Sequence, residues 1–327
     1  MPANCPVSMN QRIFFFIARY SHSGVPLAQL RLAKAFLQRG FKVHFVIGYV
    51  PPELTLPTDL GFDIVNLAQP RPFKLIWPIL RMIRSNQPNV IFSAEDHLNA
   101  VVTFAVLLAG SRARHSDKII CLSERDSRLL QRVYGRSATH VSSMALQDKM
   151  PADFAQRTKL PPKKFALFVG GIFYANRAGI AWFVEHVVPR IAIKICIVAR
   201  GFEAYREQLE RAGKVEVIGA VEHLANWYRD AHFVIAPIFD GSGMKTKVAE
   251  ALMYGKKIIG TPEAFSGYET ICEEAGWVCG SAEEFVVAVE CAQEEVKLDF
   301  DPALRAIYER LYSFTAACSR LKVILFN

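Results

Sequence analysis

The sequence predicts an α/β protein built from two doubly wound, Rossmann-like domains. Short apolar runs alternate with helical patterns along nearly the whole chain. That alternation stops at a polar, proline-bearing stretch and then restarts. The length, 327 residues, suits two domains better than one. These observations place a first domain at 1–150, a linker at 151–164 and a second domain at 165–327. The last helix is free in this scheme to pack back on the first domain.

The elements follow in order. Arg12–Ala18 reads as a buried strand, with a polar loop from Arg19 to Gly24 behind it. A helix with Leu27, Leu30, Leu32, Ala33, Phe36 and Leu37 on its apolar positions ends at Gly40, and Lys42–Gly48 is the next strand. This β-loop-α-β opening implies a parallel sheet with right-handed crossovers. Phe62–Leu67 is the third strand. Phe73–Gln87 is an amphipathic helix with Trp77 beside Lys74, Arg81 and Arg84. Such a helix packs on a sheet or lies on a membrane surface, and its basic side can face lipid in either case. Asn89–Ser93 is a strand closed by Ala94-Glu95-Asp96-His97, where polar residues at a strand's carboxyl end suit a ligand. His97 is thus either a site histidine or a helix-start residue. Lys118–Leu122 is a strand, Ser123 an N-cap for Glu124–Tyr134, and 139–147 a last short strand of this domain. In the second half, strands fall at 165–171, 193–199, 215–221, 233–236, 257–260 and 277–279. Helices fall between them, then at 281–295 and 302–318.

Half the residues are apolar, enough for sizeable cores and against disorder. The seven cysteines are scattered, with no Cys-x-x-Cys pair, as in a reducing compartment without a disulfide frame or zinc site. Met1–Asn10 lacks the basic start and apolar core of a secretion signal. The apolar run Leu98–Gly110 is too short to cross a bilayer. The expectation is a cytoplasmic protein, soluble or peripheral on the inner face of the plasma membrane. Residues 1–160 hold 20 Lys+Arg against 10 Asp+Glu, so the net +8 lies in the first half. This points to an anionic membrane surface as a partner. Nucleic acid is not expected, because the basic residues lack interleaved aromatics.

The most informative stretch is Phe239-Asp240-Gly241-Ser242-Gly243-Met244-Lys245-Thr246-Lys247-Val248-Ala249-Glu250. It joins the strand at 233–236 to a helix. Glycines at a helix mouth let backbone N–H groups approach a ligand, and the first turn's unpaired N–H groups favour an anion. Lys245 and Lys247 add positive charge. A plain turn is the alternative. Met244 after Gly243 excludes a Walker A loop, and the missing third glycine excludes a dinucleotide fingerprint.

Residues 241–252, followed by Gly255-Lys256-Lys257-Ile258-Ile259, resemble the donor-site block of the GT-B glycosyltransferases. The likeness is greatest to glycosyltransferase family 4, the retaining group 1 transferases. Phe168-Val169-Gly170-Gly171 with Asn176-Arg177 resembles the first strand and loop of that family's donor domain, and Ser23-Gly24 its opening loop. The resemblance implies a GT-B fold, two domains facing a cleft. It implies a nucleotide-diphosphate sugar as substrate and a glycan or polyprenyl-linked acceptor, in envelope polysaccharide synthesis. Gly171, Gly241, Ser242, Gly243 and Lys245 would bind the donor. Glu250 would accept its ribose hydroxyls, and Gly24 would approach from the other domain. Lys247 and Arg177 would offset charge on the leaving diphosphate, without cofactor or metal. His97 is the nearest candidate for the family's histidine at the reacting centre. Ser242 stands where the family often has a glutamate, and Asp240 is the alternative carboxylate. Asp299-Phe300-Asp301 reads as an N-cap before Pro302 rather than a metal site. Two other readings stay open: a degenerate, non-catalytic GT-B protein that binds glycan or nucleotide, and a GT-B nucleotide-sugar epimerase.

Overall fold

The structure is a computed structural model that describes residues 11–21, 24–57, 60–93, 96–110, 118–156, 165–241 and 243–326. It divides into two compact units. One takes in the chain up to Ile119 together with residues from Cys318 onward; the other is Ile120–Ala317.

Unit 1 holds β1 (Arg12–Arg19), α1 (Gly24–Leu37), β2 (Lys42–Tyr49), β3 (Asp63–Asn66), α2 (Ile76–Asn86), β4 (Val90–Ser93) and α3 (Asp96–Leu108). The strands form one parallel sheet in the order β3-β2-β1-β4. The run Ile13–Ile17 is entirely buried, as a strand covered on both faces must be. Helix α2 seats Ile79, Leu80 and Ile83 in the core, while Phe73 and Trp77 remain 80% and 71% exposed. The packing expectation holds for one face, and the other carries exposed aromatics and cations.

Unit 2 begins with β5 (Ile120–Cys121), α4 (Glu124–Tyr134) and β6 (His140–Val141). The two strands pair with each other in a separate small parallel sheet. There follow β7 (Phe165–Gly171), α5 (Tyr174–His186), β8 (Lys194–Arg200), α6 (Arg206–Leu209), β9 (Val215–Val217), α7 (Leu224–Asp230) and β10 (Phe233–Ala236). Then come α8 (Thr246–Met253), β11 (Ile258–Gly260), α9 (Cys272–Ala275), β12 (Gly276–Val278), α10 (Ala282–Glu295) and α11 (Pro302–Ile307), while α12 (Phe314–Phe326) begins in this unit and from Cys318 onward belongs to unit 1. The six-stranded parallel sheet runs β12-β11-β10-β7-β8-β9. The chain therefore starts in the middle, winds out to one edge, returns to β10 beside β7 and winds out to the other.

This division differs from the expected one. Residues 120–150 group with the second unit, not the first, and much of the expected linker, 157–164, lies outside the described residues. The reason is long-range contact. Arg125 bonds Glu263 and Ser266, Tyr268 Oη meets Met144 Sδ at 3.3 Å, and Leu146 N donates to Tyr312 O. Arg305 clasps Asp148 and also donates to the Met253 carbonyl. The helix expected over 302–318 is broken. A π turn at Tyr308–Tyr312 leads to extended Ser313, which bridges to Leu146 and whose hydroxyl accepts from Ala316 N to start α12. The Asp301 cap is as expected: its carboxylate accepts from Ala303 N, with Pro302 at the first helical position.

Candidate functional site

In a doubly wound sheet, ligands bind beyond the carboxyl ends of the strands where the winding reverses. In unit 2 that point lies between β7 and β10. The strand ends there are Gly170-Gly171 and the loop from Pro237 to Lys245. Gly241 and Gly243 have φ of +122° and +64°, left-handed backbone that a side chain would strain. The turn itself therefore favours glycine at both positions. Ser242 lies outside the described residues.

Lys247, in the first turn of α8, points back under β7. Its ammonium donates to Val169 O and stands 4.7 Å from the Phe168 ring centre. A Cβ on Gly170 would come within 2.5 Å of that ammonium, so glycine makes room for it. Lys247 is 5% exposed, and burial pulls its pKa down to about 8 against the opposing charge of Glu250. A buried cation at a sheet's reversal point is costly to keep charged and is suited to an anion that completes it. Asn176 closes the other side, its amide donating to Gly171 O at 2.9 Å.

Glu250 sits one turn along α8, half-buried beside Tyr228 and Tyr254, which stack at 4.3 Å. Burial first, then the Glu250 charge, raises both phenols, Tyr254 to about 12. Lys245 is turned the other way. Its ammonium donates to Gly243 O at 2.9 Å and to Glu263 at 2.8 Å. Asp240 accepts from Gly241 N at 2.6 Å and from Tyr174 Oη at 3.0 Å, tying the two loops together across the reversal point.

The loop expected to carry Asn176 and Arg177 after β7 is only Ile172-Phe173 long. Helix α5 starts at Tyr174 after extended Phe173, so Arg177 lies in its first turn. The exposed Arg177 guanidinium bonds the Tyr205 hydroxyl at 2.6 Å and approaches its ring at 5.2 Å. In unit 1 the winding reverses between β1 and β4. Gly24 opens α1 after β1, and His97 is the second residue of α3 after β4; the His97 side chain is outside the described residues. Glu263, just past the carboxyl end of β11, escaped the sequence reading. The same strand-end rule that singled out His97 would have found it. Among the described residues no three His, Cys, Asp or Glu are grouped to hold a metal ion, and no helix is long and apolar enough to cross a membrane.

Comparisons with known proteins agree on one fold. Residues 163–294 match a family model described as glycosyl transferases group 1. Anabaena HepE in complex with UDP superposes with a TM-score of 0.73 at 14% identity, over 97% of this chain and 99% of that one. Sucrose-phosphate synthase from Thermosynechococcus elongatus gives 0.69 at 14% identity, over 96% and 98%. WaaG, described as a glycosyltransferase involved in lipopolysaccharide biosynthesis, gives 0.65 at 13% identity, over 95% and 99%. No curated protein matches by sequence. These likenesses show the fold, an α/β fold of two Rossmann-like domains.

Proposed function

We propose that this chain, whose residues 163–294 match the group 1 glycosyl transferase model, is a retaining glycosyltransferase that uses a nucleoside-diphosphate sugar. Lys247 carries the reading. It is a buried ammonium, held at the reversal point of the second sheet beside a glycine loop and the first turn of α8. When the bond from the sugar to the diphosphate breaks, negative charge grows on the leaving phosphate oxygen. Lys247 and the loop N–H groups offset that charge from positions fixed in advance. Glu250, on the same helix, accepts the ribose hydroxyls. With retention, the acceptor oxygen attacks the face the phosphate leaves, and its proton passes to the departing phosphate oxygen. Protein cations rather than a metal carry the charge in this scheme, so a chelator should leave the rate unchanged.

The acceptor is a glycan or a lipid-linked glycan of the cell envelope, reached from the cytoplasmic side. Unit 1 supports this reading by its basic surface and by Phe73 and Trp77, exposed beside Lys74 and Arg81. Aromatic rings with flanking cations are suited to the headgroup layer of an anionic membrane. The lipopolysaccharide role printed for WaaG supports the same choice. A hydrolysis screen over UDP-, GDP-, ADP- and TDP-sugars tests the proposal. Release of a nucleoside diphosphate from one donor class is expected. Binding of donors without hydrolysis or transfer would favour a non-catalytic protein, and no binding at all would remove the donor site.

A further inference from the structure

We infer that Glu263 is a positioning residue for the glycine loop, acting through Lys245 and itself anchored by Arg125. The inference rests on the donor-site reading. Glu263 lies in the turn after β11. One of its oxygens accepts from Lys245 Nζ at 2.8 Å and the other from Arg125 Nη1 at 2.7 Å. The same Nη1 of Arg125 also donates to Ser266 Oγ at 2.7 Å, a second hold on the guanidinium. Lys245 carries the chain of contacts on to Gly243 O at 2.9 Å. The Lys245 side chain is 11% exposed and that of Glu263 19%, so the pair is shielded and opens to water at Arg125.

A trans peptide is planar, with its C=O and N–H pointing opposite ways. Holding the Gly243 carbonyl on Lys245 therefore sets the direction of the Met244 N–H. Gly243 is in left-handed backbone and has no side chain to restrain it, so the tether supplies what the residue itself does not. Tyr268 adds a second hold, its hydroxyl 2.9 Å from Lys245 O. This assigns Lys245 to shaping the loop and leaves Lys247 as the cation for the diphosphate.

The two roles for Lys245 predict opposite results. If Lys245 bound the diphosphate directly, Glu263 would compete for it, and Glu263→Ala would tighten binding by freeing a cation and removing a negative charge. If Glu263 positions the loop, Glu263→Ala and Lys245→Met each weaken binding about tenfold or more. The double variant is then no weaker than the worse single, because both break one tether. The experiment is calorimetric titration of wild type and these variants with UDP and GDP, alongside the matching nucleoside monophosphates and the melting temperature. The loss should be larger for the diphosphate than for the monophosphate at unchanged melting temperature, a pattern that general destabilisation does not produce. Arg125→Leu, at a more exposed position, keeps the test open if Glu263→Ala does not fold, and is expected to weaken binding in the same sense. Unchanged or tighter binding in these variants, or losses that add, overturns the inference alone. A wild type that binds neither diphosphate overturns the donor-site reading and the inference with it.

Discussion

In the second unit, Arg125, Lys245 and Arg305 each close on a carboxylate: Glu263 for the first two, Asp148 for the third. In the first, Arg12, Arg39 and Arg84 close on backbone carbonyls, those of Asn86, Ala35 and Leu108, at 2.5, 3.2 and 2.7 Å. A carboxylate cancels the cation and fixes its geometry. A carbonyl fixes the geometry and leaves the charge to act at a distance. At these positions the second unit uses charge to shape a site and the first keeps it as a surface field, while Arg206, Lys214 and Lys256 of the second unit also close on carbonyls. Substitutions in the second unit should act steeply, position by position and with little salt dependence. Those in the first should act in small steps that salt removes.

The largest effect is expected at Lys247. Lys247→Met should lower the rate of nucleotide-sugar turnover about 100-fold or more, the cost of losing one fixed donor at a developing negative charge. Steady-state kinetics checks this; a variant within a few-fold of wild type would place the charge elsewhere. Next is Glu250→Ala, expected to weaken nucleoside diphosphate binding about tenfold to hundredfold, as for a hydrogen bond to a charged group. Its signature is selectivity. Wild type should prefer the ribo- to the 2′,3′-dideoxynucleotide, and the variant should bind both alike.

A third expectation concerns pH. Burial lowers the Lys247 pKa to about 8 from the ordinary 10.5, and a bound diphosphate would raise it again. Below about 8 the ammonium is charged with or without ligand, so affinity is flat. Above it, binding takes up a proton and affinity falls, approaching tenfold per pH unit. Calorimetry in buffers of different ionisation enthalpy reads that proton uptake directly. Lys247→Arg should abolish the break, because a guanidinium stays charged. Folding shows the opposite sense: burying the charged lysine costs stability below about pH 8, and the cost is relieved as pH rises toward 10.5. The smallest effect is at the first unit's surface. Flotation with anionic liposomes should fall in Phe73→Ser, Trp77→Ser and Arg81→Glu, and should vanish for wild type at high salt. Flotation indifferent to salt and to all three would end the membrane proposal.

What was legible in the sequence was whatever depends on neighbours in the chain. The strands β1 and β10 stand out because Ile13–Ile17 and Phe233–Ala236 are buried on both faces and must be apolar throughout. The Asp301 cap and the Ser123 cap follow from spacing alone. The glycine loop announces itself because only glycine suits its backbone. What depends on distant contacts was not legible. Arg125 reads as one more cation on a basic helix until Glu263, 138 residues away, is seen to accept from it. The domain boundary moved for the same reason, since Met144, Leu146 and Asp148 are drawn to Tyr268, Tyr312 and Arg305. Arg177, expected at the diphosphate, lies in the first turn of a helix that starts earlier than its sequence suggests, where it bonds Tyr205. Lys245 and Lys247, two residues apart and alike in sequence, fall on different sides of the loop because α8 begins between them.

The central claim is that the reversal point of the second sheet, with Lys247 at its base, binds the diphosphate of a sugar donor. Titration of wild type and Lys247→Met with UDP and GDP at neutral pH tests it most directly. The account predicts saturable binding of one nucleotide by wild type and a loss of about tenfold to hundredfold in the variant, as for a hydrogen bond to a charged group, with the fold intact by circular dichroism. Equal affinity in the two proteins would contradict it.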